Sequence, residues 1–79
     1  MAIAQQKDIE KIRLKKTKLA INYAMQGQWT DAINANQDIL LIFPNDLDAL
    51  NRLGKAFSEL GDIKNAEVTF QNVLNLSPG

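Results

Sequence analysis

Apolar positions recur along this chain with helical spacing, and only a few residues interrupt them. Leu50, Leu53, Gly54 and Phe57 stand at i, i+3, i+4 and i+7, one stripe of an α-helix. Ala66, Phe70, Val73 and Leu74 make the same stripe on the segment that follows. Asp46 offers a helix start, Gly61 accepts the positive φ of a left-handed cap, and Ser77-Pro78 is a stop. The pattern therefore predicts helices over 47–60 and 63–76. Upstream, a break at Gly27, a helix over 30–42 and a stop at Pro44 repeat the arrangement. Residues 2–26 contain neither Pro nor Gly and are rich in Lys, Gln, Ala and Ile, which predicts one continuous helix. Its seam of Ile9, Ile12, Leu19 and Tyr23 is interrupted by Lys16.

The breakers are periodic. Gly27 and Gly61 are 34 residues apart, as are Pro44 and Pro78. The same offset pairs Leu19 with Leu53, Ala32 with Ala66, Gln37 with Gln71 and Leu40 with Leu74. Conservative pairs share the frame: Ala20 with Gly54, Tyr23 with Phe57, Trp29 with Ile63, and Ile39 with Val73. A fixed period of this size is the mark of a stacked repeat whose units bury one another's apolar faces. Small residues (Ala20, Gly54, Ala32 and Ala66) fall where helix axes must come close, and the short connections make neighbouring helices antiparallel.

At 79 residues the chain is one small domain, which excludes a multidomain enzyme. Its 46% hydrophobic and 23% charged residues are those of a globular chain. Cysteine and histidine are both absent. That removes disulfides, thiolate nucleophiles, the commonest metal ligand and the usual general base near neutral pH. No catalytic residue, metal or cofactor is expected. No apolar run is long enough to span a membrane, and the N-terminus lacks the apolar core of a secretory signal, so a cytoplasmic location is expected.

The net charge is zero but unevenly spread. Residues 1–20 carry six basic groups against two acidic ones, giving +4, and residues 21–79 carry three against seven, giving −4. The run Lys11, Arg13, Lys15, Lys16 and Lys18 invites an electrostatic tether to nucleic acid. Its charges are read as surrounding the helix, with no aromatic residue interleaved for base stacking, so nucleic acid is the lesser alternative. Asp46 and Asp48 are read as helix-start charges, not metal ligands.

This pattern resembles the tetratricopeptide repeat, a helical-hairpin unit of 34 residues. Residues 47–79 supply Leu50, Leu53, Gly54, Phe57, Gly61, Ala66, Phe70, Val73 and Pro78 at the family's signature offsets. Residues 13–46 supply Leu19, Ala20, Tyr23, Gly27, Ala32, Ile39 and Pro44. Two positions depart: Lys16 replaces the usual Trp or apolar residue, and Asn36 replaces an aromatic. Both are expected to weaken packing at the N-terminal end of the stack. The aromatic position opening the second helix is filled by Trp29, which is expected in the core.

The resemblance implies an all-α fold of two stacked helical hairpins in a short right-handed solenoid. Repeats would occupy 13–46 and 47–79, with residues 1–12 as a helical extension continuous with the first repeat helix. It also implies a non-catalytic scaffold that binds a peptide or helix of a partner protein in a groove lined by the first helix of each repeat. Helical geometry places Leu14, Thr17, Ile21 and Ala24 on that face, with Lys18 and Met25 beside them. The second repeat contributes Asp48, Asn51, Lys55 and Ser58, flanked by Arg52 and Glu59. The subclass that clamps a C-terminal carboxylate is excluded, because Thr17, Ile21 and Asp48 stand where Lys and Asn are needed. Apolar area left uncovered on helix 63–76 implies either a longer repeat protein or self-association through the solenoid ends.

Overall fold

The computed structural model describes residues 2–79, with side chains from Gln6 onward; Met1, the first residue of the expected extension, lies outside the described residues. The described chain is all helix and turn: α1 Ala2–Met25, α2 Trp29–Ile42, α3 Leu47–Glu59 and α4 Ile63–Leu76. Helix ends fall within one residue of those the apolar pattern predicts.

The turns explain the accuracy. Gly27 and Gly61 take φ of 72° and 82°. After α1, the Gly27 amide donates to Ala24 O and the Gln28 amide to Tyr23 O, at 3.1 and 2.8 Å. After α3, Gly61 donates to Ser58 O and Asp62 to Phe57 O, both at 2.9 Å. Each paired closure satisfies carbonyls that the helix end leaves open, in a backbone shape that a side chain would strain. The next helix begins at once. Asp62 caps α4 through its carboxylate, accepting from the Asn65 amide at 3.3 Å, and Asp46 caps α3 through Ala49 at 3.1 Å. Gln28 stands at the matching position before α2 and makes no side-chain cap.

The helices pack in sequence: α1 on α2, α2 on α3, α3 on α4, with α1 touching α3 only marginally. This is a stack of two helical hairpins. Its centre is the α2–α3 seam, where Ala32, Ile33, Leu53 and Ala56 form a buried cluster. Among the described residues, six of the ten buried apolar ones are alanines, so backbones approach closely while little area is removed from water per residue. Gly54 takes this furthest: a Cβ there would lie 2.6 Å from the Phe70 ring.

The two departures from the repeat signature both find polar partners on a neighbouring helix. Asn36 is 1% exposed, and both ends of its amide are bonded. Its Nδ2 donates to Ala32 O at 2.9 Å, and its Oδ1 accepts from Arg52 Nε at 3.0 Å. It joins α2 to α3 in the middle of the stack, not at the N-terminal end. A buried polar side chain is costly only when unpaired, and no described buried side-chain nitrogen or oxygen lacks a partner. Lys16 reaches across to Asp38 on α2, with Nζ 3.1 Å from the carboxylate.

The first half of α1 is tied down by Arg13. Its guanidinium lies 3.0 Å from Asp46 and 4.3 Å above the Phe43 ring, and Glu10 is 3.8 Å away. The Asp46 carboxylate thus caps α3 with one oxygen and holds α1 with the other.

Candidate protein-interaction face

Trp29, Ala24 and Tyr23 pack against the central cluster from one side. Where α1 ends and α2 begins, Trp29 packs on the core as expected but is only half-buried, so one side of it stays open. It forms part of a cleft of about 290 Å³ with Ile21, Ala24 and Met25 from α1 and with Arg52 and Lys55 from α3. The cleft exists because α1 and α3 are held apart by α2, which leaves a shallow trough between them. Its α1 wall is apolar. Its α3 wall is cationic, with the Arg52 head fixed by the bond to Asn36 and Lys55 exposed.

A second depression, of about 340 Å³, lies further toward the N-terminus of α1 and is lined by Lys11, Leu14, Lys15 and Lys18. Leu14 is 57% exposed in the midst of these three cations.

Of the sequence-derived candidates, the structure brings Ile21, Met25, Arg52 and Lys55 into one cleft, and Leu14 and Lys18 into the other. Thr17 is half-buried; Asp48, Asn51, Ser58 and Glu59 are exposed on α3, and these five line neither cleft. Lys11 and Lys15 join the site although no sequence argument placed them there. The signal was present in their spacing from Lys18, seven and three residues, but the whole basic run hid it. Arg13 and Lys16, the members that spoil a stripe, point to the other side and are engaged by Asp46 and Asp38. The charges therefore do not surround the helix evenly, contrary to the reading from sequence.

The fully described parts of the chain hold no group of three or more acidic side chains placed to bind a metal ion. Among the described residues no helix is long and apolar enough to cross a membrane.

Residues 48–79, which cover nearly all of the second hairpin, match the family model described as Tetratricopeptide repeat. The second hairpin is thus tetratricopeptide-like. Repeats of this kind are structural and non-catalytic. The chain is also similar to a protein of Pyropia yezoensis named "Uncharacterized protein ycf37", with 39% identity over 59 residues. That match takes in 75% of this chain but 33% of the relative, so the chain spans about a third of that protein's length.

Proposed function

We propose that this tetratricopeptide-like chain binds a peptide or helix of a partner protein along the trough between α1 and α3. The observation that carries the reading is the cleft that joins Ile21, Ala24, Met25 and Trp29 to Arg52 and Lys55. It combines an apolar wall that rewards burial with cationic donors, Arg52 held in place by Asn36, that orient a backbone or carboxylate, the usual composition of a recognition site. Leu14, Thr17 and Lys18 extend the face on α1; Asp48, Asn51, Ser58 and Glu59 extend it on α3. In this reading residues 13–46 and 47–79 are the two repeats, residues 1–12 extend the first of them, the hairpins stack in a right-handed sense, and the protein works in the cytoplasm. Self-association through α4 belongs to the same reading, since Ile63 and Leu74 are 55% and 56% exposed there. Sedimentation across a range of concentrations tests it; a monomer at every concentration removes it.

Trp29 is the sole tryptophan, so its emission reports on the cleft alone. Peptides selected on the protein from a random display library are expected to shift that emission. They are expected to lose binding to a Met25→Glu variant. Peptides that leave Trp29 unchanged and bind the variant equally well would overturn the groove.

A further inference from the structure

We infer that the segment bound in this trough is acidic and interspersed with apolar side chains. This rests on the proposed groove and adds the chemistry of its occupant. Along α1, Lys7, Lys11, Leu14, Lys15 and Lys18 stand at i, i+4, i+7, i+8 and i+11, one face of a continuous helix. Ile21 and Met25 carry the same face on into the Trp29 cleft. All four lysines are exposed, and none makes an ion pair among the described residues. The two other basic residues of this region are neutralised at the back of the helix by Asp46 and Asp38. Folding has thus sorted a mixed basic run into a used side and a free side.

The α3 wall does not cancel this field. Arg52 and Lys55, which line the cleft, are flanked along the outward stripe by Asp48 and Glu59, two charges of each sign. The excess positive charge of the trough therefore belongs to α1, where lysines three and four apart repel one another and give an isolated helix nothing in return. An acidic partner relieves that repulsion and is steered toward the face. Leu14 among the lysines, and Ile21 and Met25 beyond them, then ask for apolar side chains on the same segment.

A nucleic acid satisfies the lysines but leaves Leu14, Ile21 and Met25 without use, and no aromatic ring lines the lysine depression on α1 to stack on a base. A flat anionic bilayer reaches α1 but not the recess that Arg52 and Trp29 share.

The test compares four probes on the intact protein: a helical peptide of Glu, Leu and Ala, the same peptide with Lys for Glu, a DNA duplex, and phosphatidylserine vesicles. The Glu peptide is expected to bind, to shift Trp29 emission and to weaken as salt is raised. A Lys11→Glu/Lys15→Glu variant is expected to lose roughly tenfold or more in affinity for it. Lys64→Glu, on α4, is expected to change little. All three lysines are exposed, and unaltered circular dichroism checks that the variants fold. Equal binding of the Lys peptide, or tighter binding of duplex or vesicles, overturns the inference. If library-selected neutral peptides move Trp29 while the Glu peptide does not, the acidic partner falls and the groove stands. If no peptide moves Trp29, both fall.

Discussion

The helices α2 and α4 hold equivalent places in their hairpins, yet one is sealed and the other is bare. Their residues correspond at an offset of 34: Trp29 with Ile63, Asn36 with Phe70, Ile39 with Val73 and Leu40 with Leu74. α2 lies between α1 and α3, whereas α4 packs on α3 alone. In consequence Ile39 is 1% exposed while Val73 is half-buried, and Leu40 is half-buried while Leu74 is open. A repeat unit thus takes its burial from its neighbours as much as from its own sequence. Where α2 meets α3 the chain even accepts an asparagine, because Arg52 of the next helix completes its bonding. On α4 the matching Phe70 lays its ring over Gly54 of α3.

The largest expected effect compares equivalent positions. Ile39→Ala is expected to cost about 2–5 kcal/mol, as for other buried aliphatic truncations, and Val73→Ala about 1 kcal/mol, because solvent already reaches it. Urea midpoints of the two variants check this, and equal losses would mean that α4 is covered in solution. Next, Asn36→Ala is expected to cost about 2 kcal/mol through lost hydrogen bonds and a small cavity. A double-mutant cycle with Arg52→Ala is expected to show coupling of about 0.5–1.5 kcal/mol; strict additivity would mean that the α2–α3 bond carries no energy.

A smaller effect tests the size exchange between hairpins. The first hairpin has Ala20 and Asn36 where the second has Gly54 and Phe70, so a methyl goes with the smaller partner and no methyl with the ring. Gly54→Ala gains helix propensity, yet it must displace the Phe70 ring, for a net loss of about 1 kcal/mol. Combining it with Phe70→Leu is expected to recover part of that loss, and a more stable Gly54→Ala single variant would refute the close packing. The smallest change corrects a defect of the first hairpin. Gln28→Asp supplies the cap that Asp62 already gives α4, with an expected gain of about 0.5–1 kcal/mol in thermal unfolding. No gain would show that the Gln28 backbone shape excludes the cap.

Much of the fold was legible because its signals are local. Gly27, Gly61 and Asp46 act through their own backbone neighbours, and a 34-residue offset is visible without any structure. The exposed apolar residues of α4 followed from the same register. The site was only partly legible. Ile21, Met25, Arg52 and Lys55 are assigned to one face by helical geometry, but Trp29 joins them only because the chain turns at Gly27 and brings the start of α2 to the end of α1. Asn36 and Lys16 read as flaws because their partners, Arg52 and Asp38, lie 16 and 22 residues away in sequence.

By itself the sequence determined the four helices, their boundaries and the repeat, since helix periodicity, capping and the φ preference of glycine depend on nearest neighbours along the chain. Tertiary structure decided which polar groups are spent inside the molecule and which remain for a partner. Six basic residues look alike in the first 20 positions, and only packing against α2 and the following turn takes Arg13 and Lys16 out of play. Pairing between charges depends on distance through space, which the order of residues does not fix until the helices have met.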